Sequence, residues 1–145
     1  MTLMSQLTER LDPADRERVR ARLHSNLMAW LTTVRPDGRP DTVPVWFLAR
    51  PDGTVLVYTR PGQRKLRNIS GNPHVALGLD VTDLGRNIVR LTGTARLDPD
   101  AAPADADPAY LAKYVERMVA MFGTPQAFAQ QFSAVLVITP TGVQV

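Results

Sequence analysis

Residues Thr32 to Leu79 read TTVRPDGRPDTVPVWFLARPDGTVLVYTRPGQRKLRNISGNPHVALGL, and the fold is decided here. Two Pro-Asp-Gly triplets separate three runs rich in β-branched and aromatic residues. Proline presets the first turn dihedral and glycine accepts a positive φ, so each triplet reads as a hairpin turn. Thr42 to Ala49 is the return strand of the first hairpin. Pro44 within it has no N–H for a ladder, which places that strand at an edge or makes it irregular there. The third run, Thr54 to Thr59, leads into a basic segment from Arg60 to Asn68. A strand that feeds a basic helix start is suited to hold an anion, and a cofactor phosphate is the anion expected.

Upstream, Asp12 can cap a helix with Pro13 at its first position and Asp15 in its first turn. Val19 and Leu23 give that helix one apolar face, and the arginines at 16, 18, 20 and 22 read as its solvated side. Leu27 to Val34 is the strand that enters the first turn. Downstream, the spacing predicts a helix from about Pro61, ended by Gly71, with Leu66 and Ile69 inward and Arg64, Lys65 and Asn68 on other faces. His74 to Val81 and Asn87 to Leu97 follow as strands. Gly93 in the second marks a bulge or a close backbone approach.

Asp98 to Pro108 is a polar, proline-rich loop. Tyr110 to Phe122 has Leu111, Tyr114, Val115, Met118 and Phe122 at helical spacing, a stripe for the core or a dimer contact. Gly123 ends that helix, Pro125 to Phe132 is a shorter one, and strands at Ala134 to Thr139 and Val143 to Val145 close the chain. Successive antiparallel hairpins with few helices predict a small closed β-barrel.

A chain of 145 residues fits one domain with one real core. With 44% hydrophobic and 21% charged residues it has the make-up of a globular protein. No apolar run approaches a membrane span, and the N-terminus lacks the apolar stretch of a signal peptide, so a cytoplasmic location is expected. Absence of cysteine excludes disulfides, thiolate catalysis and Cys-based metal sites. His24 and His74 stand alone, which argues against zinc and leaves single-histidine haem ligation as a minor alternative. The net charge is +3, but the basic residues are scattered except between Arg60 and Arg67. Basic and aromatic residues do not interleave along a strand, so nucleic-acid binding is not expected.

Three features converge on a binding site. The helix start offers free backbone N–H groups. Arg60, Arg64 and Lys65 add positive charge, which is unfavourable at a helix N-terminus unless an anion visits. The neighbouring Val43-Pro44-Val45-Trp46-Phe47 run supplies an apolar, aromatic wall for a flat ring.

The Thr33-Val34 strand end, the Pro-Asp-Gly turn, Arg39-Pro40, Val43-Pro44-Val45-Trp46-Phe47, Arg64-Lys65-Leu66-Arg67-Asn68-Ile69 and Asn72-Pro73, in this order, resemble the pyridoxamine 5′-phosphate oxidase-like split β-barrel family. Gly93-Thr94-Ala95 fits the family's Gly-x-Ala pattern. More narrowly, the sequence is similar to the actinobacterial branch that uses the 8-hydroxy-5-deazaflavin coenzyme F420 in place of FMN. The resemblance runs from about Leu23 to Val145. It implies a mainly β (α+β) FMN-binding split barrel of six to seven antiparallel strands with peripheral helices. Residues 1–145 would form one such domain, with a helical segment over 1–24 and a helical insertion over 109–132. It also implies a homodimer with a cofactor at each subunit interface, each site completed by residues of the partner.

By the same resemblance, Lys65, with Arg60 and Arg64, holds the cofactor phosphate. Val43, Pro44, Val45 and Trp46 line the ring, Tyr58 and Thr59 its ribityl chain, and Asn68 belongs to the cofactor-binding set. No catalytic residue and no metal ligand are assigned. The expected activity is hydride transfer from reduced F420 to a small conjugated organic acceptor. Alternatives on the same fold are an FMN-binding oxidase or flavin reductase and a non-catalytic F420 carrier. True pyridoxamine phosphate oxidases grip the substrate phosphate with basic residues near the C-terminus. Here no basic residue follows Arg117, which points away from pyridoxal phosphate synthesis.

Overall fold

In the computed structural model, which describes residues 2–145, seven strands form one antiparallel sheet and five α-helices surround it. In chain order these are α1 (Leu3–Leu7), α2 (Pro13–Ser25), β1 (Ala29–Val34), β2 (Pro40–Val45), β3 (Phe47–Ala49) and β4 (Val55–Thr59). Then come α3 (Arg64–Gly71), β5 (His74–Leu79), β6 (Arg90–Leu97), α4 (Pro108–Phe122), α5 (Pro125–Gln131) and β7 (Ala134–Gln144). A short 3-10 turn at Ala104–Ala106 precedes α4.

The strand order is β2-β1-β5-β6-β7-β4-β3. β2 and β3 are therefore the two edges of the sheet, yet they are consecutive in the chain with only Trp46 between them. The sheet must curl until its edges meet at that residue, which makes it a split barrel. The expected return strand over Thr42 to Ala49 is thus two strands. Pro44 lies in an edge strand, as its missing N–H requires, and pairs with Trp30.

The split leaves a break in the ladder, and the Tyr114 hydroxyl fills it. It accepts from the Phe47 N–H at 2.7 Å and lies 2.9 Å from the Leu27 carbonyl and 2.8 Å from that of Phe47. A buried N–H at this joint would otherwise be orphaned.

Local sequence rules place most of the elements. Asp12, Asp107 and Thr124 cap α2, α4 and α5 through their side chains, each with a proline just inside the helix. Gly38 and Gly53 take φ of +87° and +89° in the two Pro-Asp-Gly turns. Gly93 sits at the register shift between β6 and β7, where a Cβ would lie 2.3 Å from the Thr139 carbonyl oxygen. The two C-terminal strands are in fact one, β7, because a bulge at that shift lets the ladder continue to Gln144.

β4 is buried at every position because it is covered on both faces. Val55 and Val57 face the barrel core with Leu31, Phe47, Leu77 and Leu136. Leu56 and Tyr58 face a second core under α4 and α5, with Tyr110, Tyr114, Met118 and Phe128. The inward stripe of α4 holds Tyr114 and Met118 as expected, with Leu111 and Phe122 packed against it and Tyr110 added, while Val115 is 37% exposed. Among the described residues no helix is long and apolar enough to cross a membrane.

Candidate functional site

A cleft of about 680 Å³ opens between β2, the end of β4, the start of α3 and the α4–α5 pair. Val43, Pro44, Val45 and Trp46 line it from β2 and the barrel joint. Tyr58 and Thr59 line it from β4, and Arg60, Arg64 and Lys65 from the segment that follows. The expected apolar wall and the expected cations therefore share one cavity.

Asn68 is not among the lining residues. Its amide is buried and donates to Thr33 Oγ1 at 3.0 Å and to Asp41 Oδ2 at 2.9 Å. It braces α3 against β1 and β2, so its relation to a ligand is indirect. Asp41 does line the cleft. It accepts from Arg35 Nε at 2.7 Å and lies 3.6 Å from the Arg64 guanidinium. These partners, led by the Arg35 hydrogen bond, hold its carboxyl at about 2, so it stays ionised near neutral pH.

The helix behind the site starts later than Pro61. Pro61 and Gly62 form a turn with Gly62 at φ +76°, and α3 begins at Arg64 with Gln63 as its N-cap residue. Proline fits a helix start, but the glycine after it takes a left-handed conformation that delays the helix. No side chain caps α3 among the described residues. The Gln63 side-chain oxygen instead accepts from Thr59 Oγ1 at 3.1 Å and from Lys65 Nζ. Arg64 and Lys65 occupy the first two helical positions, whose amides have no partner within the helix.

Burial lowers the pKa of Lys65, because its ammonium leaves water without gaining a carboxylate. Arg60 leans the other way. It donates to Gln131 Oε1 at 3.3 Å and its guanidinium carbon lies 5.1 Å from the centre of the Phe132 ring. The three cations thus ring the mouth on three supports: Gln63, Asp41 and α5.

The remaining wall was not legible in the sequence. Phe122, Phe128 and Phe132 reach the cleft from α4 and α5, with Met121 and Met28 beside them. Phe132, Phe128, Trp46 and Tyr114 stack in series, with centroid spacings of 4.5, 5.5 and 5.1 Å and interplanar angles of 12°, 13° and 3°. Helical spacing marked Phe122 as core, but nothing local tells that α5 folds back over Trp46. Tyr58, whose hydroxyl donates to the Ala102 carbonyl at 2.7 Å, is pushed up to about 12, chiefly by burial. His24 and His74 do not line the cleft, and the described residues hold no cluster of metal-binding side chains.

The fold is a split barrel, and its cleft joins a basic mouth to an apolar, aromatic wall. The profile of the family described as pyridoxamine 5′-phosphate oxidase matches residues 15–145, and the chain belongs to that family, whose members are in general oxidoreductases that bind flavin-type cofactors. A curated relative, the pyridoxine/pyridoxamine 5′-phosphate oxidase of Rubrobacter xylanophilus, is 39% identical over 79 residues, covering 54% of this chain and 36% of its own. The chain spans between 29% and 41% of the lengths of the curated relatives it matches.

Among solved structures, an F420 reductase is 25% identical with a TM-score of 0.66, covering 86% of this chain and 94% of that one. HutZ, the haem storage protein of Vibrio cholerae, is 20% identical with a TM-score of 0.60 and covers 94% of both chains, a likeness of fold.

Proposed function

We propose that the protein is an oxidoreductase that binds reduced coenzyme F420 and serves hydride transfer to a small conjugated organic acceptor. One observation carries this reading: the half-buried Lys65 ammonium, partnered by the Gln63 amide and no carboxylate, stands at an uncapped helix start beside an apolar wall. A phosphate fits that place on three counts. It restores the charge balance that burial of Lys65 upsets. It accepts the free amides of Arg64 and Lys65. It offers oxygens to the Arg64 guanidinium, which Asp41 holds only at 3.6 Å.

The Val43–Trp46 run suits the ring, and Tyr58 and Thr59 flank the connecting chain. When bound, the reduced deazaflavin would supply a hydride from C5, while this chain orients it and excludes water. The likeness to the F420 reductase favours the deazaflavin over FMN.

The reading includes a homodimer that completes each site. Met121, which lines the cleft and is 66% exposed, and Val119, 50% exposed on the same helix, are suited to be covered by a partner.

The test is a titration of purified protein with F420 and, separately, with FMN, followed by anaerobic mixing of the reduced complex with conjugated acceptors. Preferred binding of F420 with acceptor-dependent return of its absorbance supports the proposal. Preferred binding of FMN replaces the cofactor, and tight F420 binding without turnover makes the protein a carrier.

A further inference from the structure

The cleft is larger than its basic half, and its other half has a different chemistry. On the α5 side the lining is Phe122, Phe128 and Phe132 with Trp46 at the back, and the charged group there is Arg60. We infer that this half seats the acceptor, and that it selects a flat conjugated ring carrying a carbonyl or carboxylate oxygen that meets Arg60. The inference rests on the reading of the Lys65 half as the cofactor's place.

Two features argue for a flat ring. Phe128 is stacked between Phe132 and Trp46, and Trp46 is stacked in turn on Tyr114. Their faces are occupied by one another and Phe128 is buried, so what Trp46 and Phe132 have left for a ligand is their edges. Phe122 meets Trp46, Phe128 and Phe132 at 81°, 69° and 80°, edge to face against that stack. Aromatic edges carry the positive end of the ring quadrupole and pair with the π-face of another ring. A saturated ring of equal size gains area from such a wall but not this complementarity.

Arg60 supplies the second requirement. Its guanidinium is laid over Phe132 and steadied by Gln131, so the fork is oriented before a ligand arrives. One contact to Gln131 leaves several of its five N–H donors free for a planar oxygen group. Lys65 and Thr59 are bound to Gln63 and Arg64 lies by Asp41, whereas Arg60 is bound to Gln131 of α5. Arg60 is therefore the cation left for a second ligand, although its place in the sequence groups it with the phosphate contacts.

Isothermal titration with 2-naphthoate tests this, using the protein alone and the protein saturated with F420. Cyclohexanecarboxylate keeps the oxygen group without the flat ring, and 2-naphthylmethanol keeps the ring without the carbonyl or carboxylate. The expected result is at least fivefold tighter binding of 2-naphthoate than of either. Arg60→Gln and the conservative Phe132→Leu should each weaken it at least fivefold.

No binding of 2-naphthoate, or no preference over cyclohexanecarboxylate, overturns the inference. So does binding that Lys65→Ala abolishes and Arg60→Gln spares, which would put the carboxylate in the phosphate site. A parent protein that binds 2-naphthoate as expected but neither F420 nor FMN sinks the cofactor reading and leaves the chemistry of this seat standing.

Discussion

A methyl group at position 93 would collide with the backbone of β7. The nearest atoms to such a Cβ are the Thr139 carbonyl oxygen at 2.3 Å and Pro140 Cα at 2.9 Å, both main chain and unable to rotate away. Gly93→Ala should therefore cost about 2–3 kcal/mol, as overpacking in a rigid place does. A lowered urea midpoint with an unchanged slope would show it. This glycine was legible, since a glycine inside a strand pattern signals a bulge or a close approach. Asp41 was not. Its roles come from Arg35, Arg64 and Asn68, and only the fold brings the last two to it. Its folded pKa of about 2 lies below the ordinary 3.8, so the ionised form is favoured by folding. The stabilisation is complete above about pH 4 and is lost as pH falls through 2. Acid titration of Asp41→Asn against the parent should show a stability difference that shrinks across that window. A difference that stays constant from pH 5 to 2 would contradict the assignment.

Among the elements, the β2–β3 joint governs most. Residues 42–49 read as one strand because the apolar, β-rich run continues through Trp46 without a turn signal. What divides it is tertiary: the two halves pair with β1 and β4 at opposite edges of the sheet. Tyr114 on α4 holds that joint through the Phe47 N–H. Tyr114→Phe should cost about 1–3 kcal/mol, the price of a buried donor left unpaired. It should also loosen the joint that carries Trp46, because the adjoining Phe47 N–H and carbonyl lose their partner, and so weaken cofactor binding. Denaturation and cofactor titration of the same variant check both effects. The turns and the Asp12 cap were legible because they depend on neighbouring residues; Asp107 and Thr124 cap in the same way, through an N–H three residues on, but were not read as caps. The late start of α3 was missed because Pro61 alone suits a helix start and the conformation of Gly62 overrides it.

For the whole molecule, a closed sheet, a basic helix start and two small helices meet at one cleft. The sequence carried the first two, since hairpin turns and clustered charge are local patterns. It did not show that α5 brings Phe128 and Phe132 to the same place, because that contact joins distant parts of the chain. Pairing of two chains is a claim at this scale, and sedimentation should give a species of twice the chain mass. A monomer at micromolar concentration would refute it. The central claim is that Lys65 grips an anionic coenzyme. It is tested most directly by titrating F420 into the parent and into Lys65→Ala under identical salt. The account predicts micromolar or tighter binding by the parent and at least a tenfold loss in the variant, about 1.4 kcal/mol. Equal affinity in the two proteins would contradict it.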